Sequence, residues 1–289
     1  MAATAVPTVL DNAPVDRRTA AAIESAEAAA WRDCYAAAPP SWADGVGLAT
    51  REVAGALILS WGATGRRYFS RAIGLGVAQP ATEAALDDVL SGWERQGITA
   101  FLLQSFPQCA PAAFPRWLEQ RGLEPFDRQD RVVRDARPLA LAGASQPAAR
   151  ELAVERVTGA TTDEWVAFVE RVYRLDTGPW LPNLIGRPGW HQYVAREDGR
   201  IVACRGMYIG PGDAAWLGMD GPVPGVTTDD YDPDAALLEF MVADGLCLGA
   251  RSFLADIEAP AEALDTPAYD TFGRLGFRRP YVRTHHARL

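Results

Sequence analysis

The sequence contains no lysine, so all 28 of its basic residues are arginine. Asp and Glu together number 37, which gives a net charge of -9 at pH 7 and an isoelectric point near 4.9. Proteins that bind nucleic acid or anionic membranes need a basic face. The charge balance therefore argues against nucleic acid and against a membrane surface as partners.

Long apolar runs are also absent. No run approaches the ~20 residues that a membrane-spanning helix needs. Residues Met1–Pro7 show no basic region followed by an apolar core, so no signal peptide is evident. The four cysteines, Cys34, Cys109, Cys204 and Cys247, show no CxxC spacing. Scattered cysteines of this kind are typical of buried or free thiols in a reducing compartment. We therefore predict a cytoplasmic protein without a metal site.

The chain is long enough for two domains. Of its 289 residues, 48% are hydrophobic, which suffices for more than one packed core. Residues 138–150 are rich in Ala, Pro and Gly, the composition of a linker. The same order of predicted elements occurs on both sides of it: strand, helix, strands, helix, strand, helix, strand. We therefore predict a duplicated fold, with an N-terminal domain at 1–137 and a C-terminal domain at 151–289.

Three segments of the N-terminal half carry local structure signals. Apolar residues at helical spacing predict a helix over Arg17–Tyr35. The apolar run Val53–Leu59 suits a buried strand. Thr82 is a candidate N-cap for a helix that reaches Gln96, because the glycine that follows ends it.

The stretch Trp216–Glu258 organises the C-terminal half. An apolar strand ends at Met219, and a loop rich in Asp, Gly and Pro leads to Asp232-Pro233-Asp234, which predicts a helix start. A second strand follows at Arg251–Glu258. Free backbone N–H groups and the helix dipole converge where the loop meets the helix. The arrangement therefore predicts an anion site.

Two segments carry a resemblance to a known family. The hairpin Tyr193–Ala203 is similar to the second and third strands of the GNAT acetyltransferase superfamily. Pro267–Phe277, with its Leu-Gly-Phe end, resembles the closing helix of that family and the entry to its last strands. The whole chain resembles the two-domain members, because three segments of the first half show the same pattern more faintly: Phe69–Val77, Thr82–Ser105 and Trp117–Leu123.

The resemblance implies an α+β fold with two tandem GNAT-like domains, each a twisted mixed, mostly antiparallel sheet flanked by helices. It also implies transfer of an acyl group from acetyl-CoA or another acyl-CoA to an amine of a small molecule, by a monomer or a homodimer. In this family the backbone of the fourth strand polarises the thioester carbonyl, and the loop after it holds the coenzyme. The matching cofactor-binding positions are Leu217, Gly218, Met219, Val226, Thr227 and Thr228.

The sequence departs from the family in that loop. The family signature is Arg/Gln-x-x-Gly-x-Gly/Ala, whose backbone N–H groups hold the pyrophosphate of coenzyme A. The corresponding segment Gly225–Asp234 lacks it, and no arginine occurs between Arg205 and Arg251. Each acid at the helix start repels a pyrophosphate by about 1 kcal/mol at a partly exposed site. We therefore predict a degenerate coenzyme A loop.

The candidate catalytic groups lie near the ends of the second strand and the closing helix. Asp256 and Glu258 are two residues apart, so their side chains share one face of the strand. Either carboxylate is a candidate base, because the strands part at this point in the family's architecture. The tyrosine of the family's closing helix falls at Phe272, which has no hydroxyl. Tyr269, one turn earlier, is therefore the candidate proton donor.

The candidate substrate-binding residues are acids and aromatics around the same loop: Trp180, Trp190, Asp220, Asp229, Asp230 and Tyr231. The carboxylates suit a cation or a cationic substrate, and they equally suit a solvated loop. The aromatic rings line an acceptor pocket or cover the core. A second hypothesis is therefore a GNAT-fold protein that no longer uses coenzyme A and either catalyses another reaction on a small polar or cationic ligand or only binds it.

Overall fold

A computed structural model describes residue 10 and residues 12–139, 152–222, 233–258 and 267–289. In these ranges the helices are α1 (Arg17–Ala36), α2 (Pro40–Val46), α3 (Glu83–Arg95), α4 (Phe114–Gln120), α5 (Thr162–Tyr173), α6 (Pro233–Cys247) and α7 (Pro267–Arg274). The strands are β1 (Leu48–Val53), β2 (Ala56–Trp61), β3 (Arg71–Ile73), β4 (Leu102–Ser105), β5 (Glu124–Asp135), β6 (Leu152–Arg156), β7 (Trp190–Glu197), β8 (Arg200–Ile209), β9 (Ala214–Pro222), β10 (Ser252–Glu258) and β11 (Arg278–Ala287). None of these helices is both long and apolar enough to cross a bilayer.

Side-chain caps begin the first and third helices. The carboxylate of Asp16 accepts a hydrogen bond from the backbone N–H of Thr19 at 2.7 Å, which satisfies one free donor of α1. The hydroxyl of Thr82 does the same for the N–H of Ala85 at 3.1 Å. Both helices predicted for the N-terminal half are therefore confirmed.

The prediction of one buried strand over Val53–Leu59 is wrong. β1 ends at Val53, and β2 begins at Ala56 and pairs with it as a hairpin. Ala54 and Gly55 form the turn, with φ of 47° and 75°. Positive φ at both positions is typical of the two-residue turns that join antiparallel strands. Gly55 is the turn signal inside the apolar run, since glycine adopts positive φ without strain.

All eleven strands form one mixed, mostly antiparallel sheet in the order β1-β2-β3-β4-β11-β5-β10-β9-β8-β7-β6. This is the predicted sheet type. The final strands of the two halves have changed places: β11 lies against β4, and β5 lies against β10. Each half therefore completes its sheet with a strand from the other, and the two sheets join at the β11–β5 pair.

The sheet divides at two parallel strand pairs. β9 and β10 pair only from Ala214↔Ser252 to Trp216↔Leu254, although both strands continue for several residues. We call their divergence the C-terminal split. β3 and β4 pair only at Arg71↔Leu102 and Ala72↔Leu103, and their divergence is the N-terminal split.

Helix α1 belongs to the clusters at both splits. Ala20, near its start, packs in a cluster with Val77, Phe106 and Tyr281 beside the N-terminal split. Trp31, near its end, packs against Trp216 of β9 with the ring centroids 5.4 Å apart. One helix thus contributes to the core of both halves.

Candidate active site

A cavity of about 700 Å³ opens at the C-terminal split. The C-terminal half lines it with β9, β10, α5 and the segment after α5, and the N-terminal half lines it with α1, β5 and residues 65–71. The volume lies in the range of ~300–1,000 Å³ that is typical of small-molecule sites. The cavity is therefore shared between the two halves of the chain.

Aromatic rings form one continuous wall. Trp216 meets Trp31 edge to face at 5.4 Å, Trp31 meets Phe69 at 6.2 Å, and Phe69 meets Tyr173 at 6.4 Å. Edge-to-face pairs of this kind are favourable because the positive ring edge meets the negative ring face. Phe126 also lines the cavity and is 40% exposed.

Six charged side chains form a buried network at the base of the cavity. They are the carboxylates Glu24, Glu27 and Asp256 and the guanidinium groups Arg71, Arg131 and Arg283. Three carboxylates are thus matched by three guanidinium groups. Paired burial of this kind is required because an isolated buried ion is strongly destabilised.

Glu27 is the centre of that network. It accepts hydrogen bonds from Arg71 at 2.9 Å and from Arg283 at 2.5 Å, and it also contacts Arg131. Burial opposes ionisation of Glu27, but the three guanidinium groups outweigh burial and hold its pKa well below the usual range. Glu27 is therefore a fixed anion committed to its partners.

Asp256 lies on β10, past the point where β9 and β10 part. One carboxylate oxygen is 3.3 Å from Arg131, and the other accepts a hydrogen bond from Arg283. The predicted base Asp256 therefore lines the cavity as a member of the ion-pair network.

Glu258, two residues further along β10, differs from Asp256. Within the part of the chain that the structure describes, its carboxylate has no hydrogen bond or ion pair. Partial burial and the negative charges of Asp220 and Asp127 raise the pKa of Glu258. Burial also raises the pKa of Asp256, but that carboxylate is held by Arg131 and Arg283. Of the two predicted bases, Glu258 is therefore the one whose carboxylate is left to accept a proton.

The predicted cofactor-binding strand also faces the cavity. Leu217, Gly218, Met219 and Asp220 all line it. A β-bulge interrupts the β8–β9 pairing here, because two residues of β9, Met219 and Asp220, lie opposite the single residue Arg205 of β8. Met219 has a φ of 53° at the bulge. A bulge at this place frees backbone groups from the ladder next to the cavity.

Arg205 lies against the start of α6. Its guanidinium donates two hydrogen bonds to Asp234, both 2.8 Å long. The basic residue beside this helix start is thus already paired with an acid of the first helical turn.

The other loop residues predicted to bind cofactor or substrate lie outside the described residues: Val226, Thr227, Thr228, Asp229, Asp230 and Tyr231.

Three remaining predicted site residues have different surroundings. Trp180 lines the cavity, and its indole N–H donates to the carbonyl of Cys34 at 2.6 Å. Trp190 is buried, and its N–H donates to Asp33 at 2.8 Å. The hydroxyl of Tyr269 donates to Asp130 at 2.7 Å. Neither Trp190 nor Tyr269 is among the described residues that line the cavity.

The sequence did not reveal the contribution of the N-terminal half. Tyr68, Phe69, Arg71, Phe126 and Glu27 all line the cavity, although none was predicted to belong to the site. Each has an ordinary local setting, such as a glutamate on a helix. No local signal distinguishes them, because they reach the cavity only through the packing of one half on the other.

Comparison with known proteins supports the fold. No protein-family model matches the sequence, and a search of curated proteins finds no match. A GCN5-related N-acetyltransferase from Kribbella flavida is similar in structure, with a TM-score of 0.55 and 16% identity over 83% of this chain and 88% of that one. One from Sphaerobacter thermophilus has a TM-score of 0.51 and 18% identity over 97% of this chain and 96% of that one. The chain therefore has the fold of the GCN5-related N-acetyltransferases along nearly its full length.

Proposed function

We propose that the protein is an N-acyltransferase that transfers an acyl group from acyl-CoA to an amine of a small molecule. The observation that carries the proposal is the C-terminal split, where the interrupted edge of β9 and the carboxylate of Glu258, which has no partner among the described residues, line one cavity. Fold likeness alone does not establish a reaction. The chemistry of the groups at the split is what supports this one.

Acyl transfer to an amine needs a proton acceptor and a group that stabilises negative charge on the acyl oxygen. Glu258 accepts the proton that the amine must lose before its nitrogen attacks, directly or through a water molecule. Backbone groups of Leu217, Gly218 and Met219 polarise the acyl carbonyl at the bulge. Acyl-CoA supplies the acyl group as a thioester. The C–N bond of the amide would form as the C–S bond breaks, and the coenzyme would leave as a thiolate that takes its proton from water. The buried ion pairs of Asp256 hold β10 in place beneath Glu258.

The fit to coenzyme A rests on the cavity and the bulged strand. The cavity has room for a narrow acyl-bearing arm, and the four residues of β9 lie along it. The guanidinium of Arg205 already binds the carboxylate of Asp234 through two hydrogen bonds, and that carboxylate opposes a pyrophosphate at this place. We therefore expect acyl-CoA to be bound mainly along β9 and only weakly by charge.

Binding of acetyl-CoA is the first test. Isothermal titration calorimetry on the full chain should show heat, and millimolar acetyl-CoA should raise the melting temperature, because a ligand bound only by the native state stabilises it. Absence of both signals would contradict the proposal.

The role of Glu258 is the second test. Glu258→Gln should lower kcat by about 100- to 10,000-fold, the usual contribution of a general base, with acetyl-CoA binding unchanged. Glu239→Gln, the same substitution at an exposed position on α6, is the matched control and should keep the full rate. If Glu258→Gln is as active as the control, another group is the base.

The Arg205–Asp234 pair also favours a second candidate function. A GNAT-fold protein that no longer uses coenzyme A has no need for a free cation at the start of α6, and here the cation is paired. Such a protein binds a small polar or cationic ligand in the cavity, or catalyses another reaction on it. Ligand binding in the cavity without any heat from acetyl-CoA would favour this candidate.

A further inference from the structure

The polar groups of the cavity are mostly committed to partners. Glu27 is bound by three arginines, and Gln129 accepts a hydrogen bond from Arg283 at 3.1 Å. The hydroxyl of Thr177 donates to Glu170 at 2.7 Å. A ligand with many hydroxyl groups would lose its hydrogen bonds to water here and find few replacements, which is unfavourable.

The apolar part of the cavity is aromatic and comes from both halves. Its wall runs through Trp216, Trp31, Phe69 and Tyr173, and Phe126 adds a ring that is not part of the wall's edge-to-face pairs. Aromatic walls favour a planar apolar group through offset and edge-to-face contacts. They also attract a nearby cation through the negative ring faces.

The ionic groups that remain differ between the two sides of the cavity. Glu258 and Asp220 bring negative charge at the ends of β10 and β9. On the other side Arg67 stacks over Phe126 at 4.8 Å and donates to the carbonyl of Arg288 at 3.2 Å. Arg66 is exposed at the rim. Asp220 lies 3.9 Å from the guanidinium of Arg205, whereas Glu258 has no partner among the described residues. The carboxylate open to a ligand therefore lies at the split itself, where an attacking nitrogen must be.

We infer that the acyl acceptor is an aromatic primary amine, whose ring packs between Phe126 and the wall formed by Trp31, Phe69 and Trp216, and whose nitrogen is bound by Glu258. This inference rests on the proposed acyl transfer and adds the chemical class of the acceptor. The aromatic ring of the amine occupies the apolar part of the cavity, away from the ion-pair network. The nitrogen is then held at the split, next to the bulge of β9.

Binding of three probes to the full chain tests the inference without requiring catalysis. In calorimetry, 2-phenylethylamine should bind at least 10-fold more tightly than glucosamine, a primary amine that carries hydroxyl groups and no aromatic ring. It should also bind at least 10-fold more tightly than 3-phenylpropionate, which has the ring but the opposite charge. Equal binding of glucosamine, or equal binding of the propionate, would overturn the inference.

Two phenylalanine variants make the test specific to the cavity. Phe126→Ala should weaken 2-phenylethylamine by several-fold. Phe240→Ala, on α6 outside the lining, should leave it unchanged, and both side chains are 40% exposed. Phe126→Leu keeps an apolar side chain and guards against misfolding of the alanine variant. An unchanged affinity in both Phe126 variants would show that the ring lies elsewhere and would contradict the proposed placement.

The outcomes also separate this inference from the proposed function. If 2-phenylethylamine binds selectively but no acetyl group is transferred from acetyl-CoA, the proposed reaction fails and the ligand assignment stands. If glucosamine is acetylated and 2-phenylethylamine is not, the reaction stands and the aromatic acceptor is wrong.

Discussion

The two splits of the sheet have the same strand geometry and different contents. At the N-terminal split, the segments that follow β3 and β4 are joined: the N–H of Ala110 donates to the carbonyl of Gly76 at 2.7 Å. Phe106 stacks on Tyr281 at 4.7 Å, in a cluster with Val77. A cavity of about 430 Å³ does lie nearby, but no residue of β3 lines it. This split is therefore part of the core.

The C-terminal split contains charged and aromatic side chains around open space. Glu27, Arg71 and Asp256 line the cavity there, whereas the cluster beside the N-terminal split contains Ala20, Val77, Phe106 and Tyr281. The comparison teaches that a duplicated fold offers two clefts, and that side chains decide which one becomes a site. Apolar packing fills the N-terminal split, whereas the C-terminal split keeps a cavity beside the ion-pair network.

The largest expected effect concerns the buried ion-pair network at the C-terminal split. Glu27→Ala should lower the free energy of unfolding by about 3–5 kcal/mol, because it leaves three guanidinium groups buried without their shared anion. Chemical denaturation measures this change. The control is Glu52→Ala, which breaks an exposed ion pair with Arg32 and should cost about 0–1 kcal/mol. Equal costs for the two variants would mean that the network does not hold the cavity.

A matched pair of valine substitutions compares the two splits directly. Val77→Ala should lower the free energy of unfolding by about 2 kcal/mol, because Val77 is buried in the cluster at the N-terminal split and the lost methyl groups leave a void. Val172→Ala should cost under ~1 kcal/mol, because Val172 lines a space that is already open. Thermal or urea denaturation gives both values. A larger loss of stability in Val172→Ala than in Val77→Ala would contradict the view that the N-terminal split is packed and the C-terminal split is open.

The smallest expected effect is on the pH dependence of activity. The pKa of Glu258 is raised, and a base acts only when deprotonated, so the rate should rise with pH through a range above the usual pKa of glutamate. Asp220→Asn removes a negative charge that raises this pKa and should shift the rise towards lower pH. Asp198→Asn in the β7–β8 turn is the control. A shift towards higher pH in Asp220→Asn would contradict the proposed coupling.

Local signals determined much of the fold. The caps at Asp16 and Thr82 satisfy helix donors within three residues, so they follow from sequence alone. The hairpin turn at Asp198-Gly199 and the alternation of β7 and β8 are likewise local. The split between β9 and β10 followed from the family resemblance, and Asp256, Glu258 and the β9 backbone line one cavity there.

Only the tertiary structure decided which strands pair at the centre of the sheet and which acids are buried. A strand has the same alternation whichever neighbour it meets, so no local pattern predicts that β5 and β11 change places. Glu24 and Glu27 have the sequence setting of solvated helix acids, yet both are buried because arginines from the exchanged strands, Arg131 and Arg283, reach them. The site depends on contacts between residues more than 100 positions apart, and such contacts are fixed by packing and charge pairing across the whole chain.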